Sequence, residues 1–198
     1  MPAPYTIHIR NMVCPRCLKV VTEVLEKLQL KPVNVQLGEV QLGIAPSSEQ
    51  LEQLRQALLQ NGFELLEDKK AELVEKIKLA IIKLIRSGEV ENLSTNISDY
   101  LADTLGRDYH YLSGLFSAEE GVTIARYVVL QKVERAKELL AYNELSLSQI
   151  SYQLGYSSVA HLSGQFRQVT GMSPSEYKKN ASRFRKPLDQ VGARYKEA

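Results

Sequence analysis

The stretch 147–177, LSQISYQLGYSSVAHLSGQFRQVTGMSPSEY, recurs in degenerate form fifty residues upstream. Leu112, Ser113, Gly114, Phe116, Gly121 and Tyr127 return as Leu162, Ser163, Gly164, Phe166, Gly171 and Tyr177. The turn pair Leu105-Gly106 returns as Leu154-Gly155, one residue short of that spacing. A repeat of this size is a supersecondary unit used twice. The unit reads as two short helices around a glycine that supplies a left-handed turn, a helix-turn-helix. The first copy predicts helices over 97–105 and 108–117, the second over 147–154 and 158–169. In each, a Leu and a Phe four residues apart share the inner face of the later helix. Two helical hairpins in an ordinary bundle would give the same pattern.

Between the copies, residues 123–142 contain no Gly or Pro. Ile124, Tyr127, Val128, Leu130, Val133, Leu139 and Leu140 fit one long helix with a broad apolar face. Such a helix spans about 30 Å, and successive major grooves on one side of B-DNA lie about 34 Å apart. A stiff spacer of that length predicts two reading helices in consecutive grooves of double-stranded DNA, bound by one chain without a dimer partner.

Residues 146–177 carry a Leu-Gly-Tyr turn, a His-Leu-Ser-x-x-Phe helix and the ending Thr-Gly-Met-Ser-Pro-Ser-Glu-Tyr. They resemble the second helix-turn-helix of AraC/XylS-type transcription regulators. With the upstream copy and the connecting helix, the resemblance covers 89–180. It implies a bacterial-type, cytoplasmic DNA-binding regulator, not an enzyme. In the first reading helix it places His110, Ser113 and Gly114 at base-contacting positions. In the second it places Val159, Ala160, Ser163 and Gly164 there, with His161 and Gln165 beside them. The sequence departs from the family where Gly114 and Gly164 stand in place of a frequent arginine. Arg to guanine is the commonest specific major-groove contact, so readout at both positions must differ. The bare glycines suit either a close backbone approach or reliance on His110 and Ser163.

Formal net charge is only +2 over the whole chain. Positive charge gathers at the end: from 178 to 198, seven Lys or Arg stand against Asp189 and Glu197, leaving +5. Phosphate contacts supply most non-specific affinity, and Lys178, Lys179 and the tail fit that role, as they equally fit a solvated terminus. Arg167 falls in the last turn of the second reading helix, whereas Glu119-Glu120 follow the first. The downstream unit is the better equipped to approach phosphate.

The N-terminal third has another character. Residues 5–9 alternate as a strand does. Residues 14–28 read as a helix with Val20, Val21, Val24, Leu25 and Leu28 on one face. Strands follow over 33–37 and 40–44, joined at Gly38-Glu39, then a Ser-capped helix over 48–61 and a strand over 63–66. The order β-α-β-β-α-β is the split ferredoxin-like motif.

Asn11-Met-Val-Cys-Pro-Arg-Cys17 sits where the first strand gives way to the helix. A helix N-terminus and Arg16 both favour thiolate. Two thiolates at this spacing are soft ligands for Cu(I) or Zn(II). Residues 5–66 resemble heavy-metal-associated domains, whose loop reads Gly-Met-x-Cys-x-x-Cys; here Asn11 replaces the usual glycine. A closed zinc site wants four protein ligands, and Cys14 and Cys17 are the only cysteines. Two-coordinate Cu(I) or Ag(I) fits better. Met12 is a soft neighbour that the resemblance places under the loop instead. His8 shares a side of the strand with Thr6 and reaches the loop only if that edge folds over. A thiol–disulfide switch, metal transfer to a protein partner, a homodimerising role and cysteines without cellular function remain open alternatives.

Lys69–Ser87 carries Leu73, Val74, Ile77, Ile81, Leu84 and Ile85 on one helical face, with Leu79 and Ile82 outside it. A second apolar side predicts that this linker helix is covered twice, by both domains of one chain or by another subunit. The expected fold class is α+β. A ferredoxin-like domain (1–68) leads through a linker helix (69–88) to an all-α domain of two helix-turn-helix units (89–180) and a basic tail (181–198). Residues 1–13 lack the apolar core of a signal peptide, and no apolar run is long enough for a membrane span. Two cysteines at metal spacing fit a reducing cytoplasm better than a disulfide scaffold. No hydrolytic or acid–base constellation is present.

Overall fold

A computed structural model describes residues 4–90 and 96–179. The basic tail 181–198, with Arg183, Arg185, Lys186, Arg194 and Lys196, lies outside the described residues. Two compact units divide the chain, Met1–Leu79 and Ala80–Ala198.

The first unit runs β1 (Tyr5–Arg10), α1 (Pro15–Lys27), β2 (Pro32–Gln36), β3 (Glu39–Leu42), α2 (Ser48–Gln60) and β4 (Glu64–Leu66). The strands form one sheet in the order β2-β3-β1-β4, with every pairing antiparallel. Alternation puts Ile7, Ile9, Val40, Leu42 and Leu65 on one sheet face, where they pack with Val21, Val24 and Leu25 of α1 and Leu54 and Leu58 of α2. Each such side chain, taken wholly from water, contributes about 1.5–3 kcal/mol. Pro15 opens α1 at its first turn, where no backbone N–H is needed. Ser47, not Ser48, caps α2, in a capping box with Gln50.

Strand boundaries shift by one or two residues from the sequence expectation: β1 runs on to Arg10, β2 is displaced back by one residue, β3 starts one residue earlier and ends at Leu42 rather than at 44, and β4 starts at Glu64. The β2–β3 turn is Leu37-Gly38 rather than Gly38-Glu39. Gly38 takes φ +78°, and a Cβ there would come within 2.5 Å of Leu79 Cδ1. Glu39 is therefore free to pair with His8 in the ladder.

A long helix, α3 (Lys69–Ser87), follows β4. Its first half lies over the sheet face opposite α1 and α2, the face on which His8 stands. Glu72 reaches His8 Nε2 at 3.3 Å and Glu39 lies 3.9 Å from His8 Nδ1. His8 is thus turned toward α3 and does not reach the cysteine loop. Val74, Ile77, Ile81, Leu84 and Ile85 are buried as the sequence pattern predicts; Ile82 is buried too, and Leu79 is half-buried.

The second unit continues with α4 (Ile97–Leu105), α5 (Tyr109–Glu120), α6 (Ile124–Tyr142), α7 (Leu147–Gln153), α8 (Val159–Thr170) and α9 (Pro174–Lys179). Side-chain caps start the helices: Asn96, Asp108, Thr123, Ser146 and Ser158 each accept from a backbone N–H three residues on. Gly106, Gly121 and Gly171 close α4, α5 and α8 in the left-handed conformation. The helix α6 is packed by α5, α7, α8 and α9, which explains why twelve of its residues are buried. Among the described residues, no helix is long and apolar enough to cross a membrane.

Candidate nucleic-acid interface and cysteine site

The two repeats fold alike. Leu112 and Phe116 on α5, and Leu162 and Phe166 on α8, are wholly buried. Phe116 meets Tyr127 edge-on at 5.3 Å between ring centroids, and Phe166 meets Tyr177 edge-on at 5.5 Å. The Phe and the Tyr eleven residues later form the same aromatic lock in both copies. That lock fixes which side of each later helix faces out. On α5 the outward residues are His110, Tyr111, Gly114 and Ala118, with Ser113 half-buried. On α8 they are Val159, Ala160, His161, Gly164, Arg167 and Gln168, with Ser163 and Gln165 half-buried. Lys178 and Lys179 are exposed at the end of α9.

The residues expected to read bases therefore share the free face of α5 or of α8. Tyr111 and Gln168 belong to these faces as well. Their signal was available: Gln168 lies one helical turn beyond Gly164, and Tyr111 one turn before Leu115 on the rim of the α5 face. Glu119 and Glu120 lie in the last turn of α5 rather than after it, because the helix runs on to the Gly121 cap. Two carboxylates at a helix C-terminus add to the negative end of the dipole, which sharpens the contrast with Arg167 in the last turn of α8.

His161 is held from two sides. Its ring meets Tyr156 edge-on at 5.3 Å, and Nδ1 lies 3.1 Å from Ser157 Oγ. Tyr156 is itself buried, with Lys132 Nζ 5.1 Å from its ring centroid. Burial pushes the Tyr156 phenol up to about 12 and holds the Lys132 ammonium below its ordinary value. Gly114 and Gly164 sit at helical φ with open space where a Cβ would project. Neither glycine is required by its own fold.

In the first unit, Cys14 caps α1 and Cys17 lies in its first turn, with sulfurs 3.2 Å apart. Burial raises the Cys14 thiol, but hydrogen bonding from Cys17 and the Arg16 charge outweigh it, and the net shift is downward. Cys17 moves the other way: burial and the hydrogen bond with Cys14 hold its proton on. Of the two, Cys14 gives up its proton the more readily. Met12 is wholly buried in the core beneath the loop. Cys17 packs against the same core.

The donor set suits a soft ion, with one adjustment. At a thiolate–metal length of about 2.3 Å, a linear two-sulfur site needs sulfurs about 4.6 Å apart. From 3.2 Å, the pair must open. Among the described residues, no three His, Cys, Asp or Glu side chains are grouped to hold a metal, so the ligands for a four-coordinate zinc site are not assembled there.

Residues 101–180 match a family model described as a helix-turn-helix domain. Relatives share this region. The probable transcriptional regulator LumQ of Photobacterium leiognathi is 27% identical over 130 residues, 66% of this chain and 50% of that protein. A putative AraC-like transcription regulator of Streptomyces lividans is 32% identical over 80 residues, 40% of this chain and 26% of that one. The xylose operon regulatory protein of Escherichia coli K12 is 31% identical over 80 residues, 40% of this chain and 20% of that one. The chain spans half or less of the length of these curated relatives. Within the matched region, α4–α5 and α7–α8 are the two helix-turn-helix units and α6 is the helix between them.

Proposed function

We propose that this chain is a transcription regulator that binds a specific site on double-stranded DNA through α5 and α8. The observation that carries the reading is the duplicated unit: two later helices, each locked from behind by a Phe–Tyr pair, each with an exposed outer face. The helix α6 between them has 19 residues, a length of about 28 Å, close to the roughly 34 Å between successive grooves. The relatives named as transcriptional regulators support the same reading. Selection of bound sites from random duplex DNA tests it. A recovered site with two half-sites about one helical turn apart is expected; recovery of no sequence preference would sink it.

The N-terminal unit is assigned to control. Its strand order and β-α-β-β-α-β sequence fit a ferredoxin-like domain, and Cys14 and Cys17 would hold a soft ion such as Cu(I) or Ag(I). Bound there, the ion would supply charge and a fixed link between two sulfurs, and the chain's part is to present the two sulfurs side by side at the start of α1. Affinity for the selected site is measured with and without Cu(I) under reducing conditions, in wild type and in Cys14→Ser/Cys17→Ser. Metal-dependent affinity in wild type alone is expected; identical affinities in all four would remove the metal from the reading and leave DNA binding intact.

A further inference from the structure

We propose that Glu75 is a positioning residue for the cysteine loop, coupling the state of the Cys14/Cys17 pair to helix α3. The inference rests on the soft-metal reading only for its choice of probe. The junction is Asn11, which opens the loop. Its backbone N–H donates to Glu75 Oε1 at 3.0 Å, across 64 residues of sequence. Its side chain Nδ2 donates to the Gly62 carbonyl at 3.0 Å. Its carbonyl oxygen accepts from the Val13 N–H at 3.0 Å and faces the Cys17 thiol at 3.7 Å. Asn11 also holds φ +73°, a left-handed conformation that Asn tolerates and most residues avoid. The loop keeps that shape because hydrogen bonds on every side over-determine it.

Glu75 is not a surface residue that happens to reach the loop. It is 3% exposed, and its second oxygen lies 3.3 Å from Lys78 Nζ one turn along α3. A buried carboxylate needs compensation; here Oε1 accepts from the loop N–H, and Oε2 has the charge of Lys78 beside it but no hydrogen bond among the described residues. The anchor is therefore costly to lose from either end.

Capture of the sulfurs disturbs this junction from the other side. The Cys17 thiol donates to the Asn11 carbonyl at 3.7 Å, and its sulfur lies 3.2 Å from that of Cys14, where either can donate. When an ion takes both sulfurs as thiolates, their protons leave to solvent and the S–H donor to Asn11 is gone. The sulfurs must also spread from 3.2 Å. Both changes bear on a residue whose N–H is held by α3. By linkage, whatever strains the Glu75 anchor on capture must equally bias capture when α3 shifts. Helix α3 continues unbroken from Glu75 to Ser87, so a change at Glu75 enters an element that leaves the first unit.

The test is amide hydrogen exchange at residues 71–78 of the full chain, with and without one equivalent of Ag(I). Wild type, Cys17→Ala, Cys17→Ser, Glu75→Gln and Glu75→Ala are compared. Silver is expected to speed exchange in α3 of wild type by about fivefold, the change that one net hydrogen bond makes in an opening equilibrium. Metal-free Cys17→Ala should reproduce the shift, while Cys17→Ser, which keeps a donor, should not. Glu75→Gln, which keeps an acceptor, should respond to silver as wild type does; Glu75→Ala should not respond. The coupling is overturned if Cys17→Ala exchanges as wild type, or if silver shifts α3 equally in Glu75→Ala. The cysteine variants leave α3 untouched, so they decide the matter even if Glu75→Ala fails to fold. Native mass spectrometry reads silver binding separately: absence of a 1:1 complex removes the metal reading, and the Cys17 pair still decides the coupling.

Discussion

Arg86 meets Glu138 at 3.2 Å, joining the last turn of α3 to α6. The same carboxylate takes Arg135 at 2.6 Å and accepts from the Tyr142 hydroxyl at 3.3 Å. Burial raises the Glu138 carboxyl, but the Arg135 hydrogen bond and the Arg86 charge outweigh it and hold it below the usual carboxylate range. Glu138→Gln leaves two guanidinium groups without their anion. It should cost about 2 kcal/mol by urea unfolding, less than a fully buried pair because Arg86 is partly exposed. A carboxyl depressed on folding stabilises above its unfolded value, and that stability is lost as pH falls through the folded value. The wild-type advantage over Glu138→Gln should therefore be full at neutral pH and shrink below about pH 4. A gap unchanged down to pH 3 would show that Glu138 contributes by packing alone.

Gly114 and Gly164 offer the most direct test of base readout. Both lie inside helices with open space where a Cβ would stand. Gly164→Ala should stabilise the fold by about 0.5–1 kcal/mol, the helical cost of glycine. If DNA does not pack against that glycine, site affinity stays within about twofold, the range of an ordinary surface change. A tenfold loss with raised Tm would show that DNA meets the bare backbone there. Gly164→Arg should add a preference for guanine opposite α8 of about 1–3 kcal/mol, read by repeating the site selection.

Much of this architecture was legible because the repeat and the apolar periods point the same way. The long α6, the helix α3 to its last residue and the order of strands and helices through α8 follow from apolar spacing and Gly or Ser punctuation; α9, which Pro174 opens, was not expected. What was less legible depends on contacts distant in sequence. His8 faces Glu72 because α3 covers the sheet, which no strand pattern reveals. The Leu37-Gly38 turn was displaced by one residue because either neighbour of Gly38 could have shared the turn. Asn11 looked like a departure from a glycine loop. Its left-handed φ shows that the loop keeps the conformation and that Asn can supply it. Glu75 gave no such signal: it stands outside the apolar face of α3 with Lys78 one turn on, and its partner on the loop lies 64 residues away.

The cysteines should differ in reactivity. Cys14 titrates below its ordinary value, with burial opposing and Cys17 and Arg16 favouring the thiolate; Cys17 titrates above it. Iodoacetamide should therefore label Cys14 first, with a midpoint below the ordinary thiol value of about 8.5. Removing the donor in Cys17→Ala should raise that midpoint, and Cys17→Ser should raise it less, because a hydroxyl can still donate to the Cys14 sulfur. Peptide mapping across pH 6–10 reads both. Faster labelling of Cys17 in wild type would reverse the order of the two acidities.

The two reading helices should not contribute equally. Arg167 is exposed in the last turn of α8, and Lys178 and Lys179 are exposed on α9. The corresponding end of α5 presents Glu119, exposed, and Glu120, half-buried. Phosphate lies along both flanks of the major groove, so a carboxylate pair repels where a guanidinium attracts. Ala substitutions at Ser163 and Arg167 should cost more affinity than those at His110 and Ser113. The pairs should also differ in kind. Arg167→Ala, Lys178→Ala and Lys179→Ala should each weaken all sequences alike and lower the slope of log affinity against log salt by about one. His110→Ala and Ser163→Ala should instead relax preference at single base pairs with little change in slope. Held in place by Tyr156 and Ser157, His161 should behave like the second group: His161→Ala narrows the gap between specific and random DNA, and Tyr156→Leu, which removes the ring behind it, has the same effect more weakly. Equal losses at the two units, or a larger loss at His110 and Ser113, would place the anchor upstream and leave the acidic end of α5 facing away from the duplex.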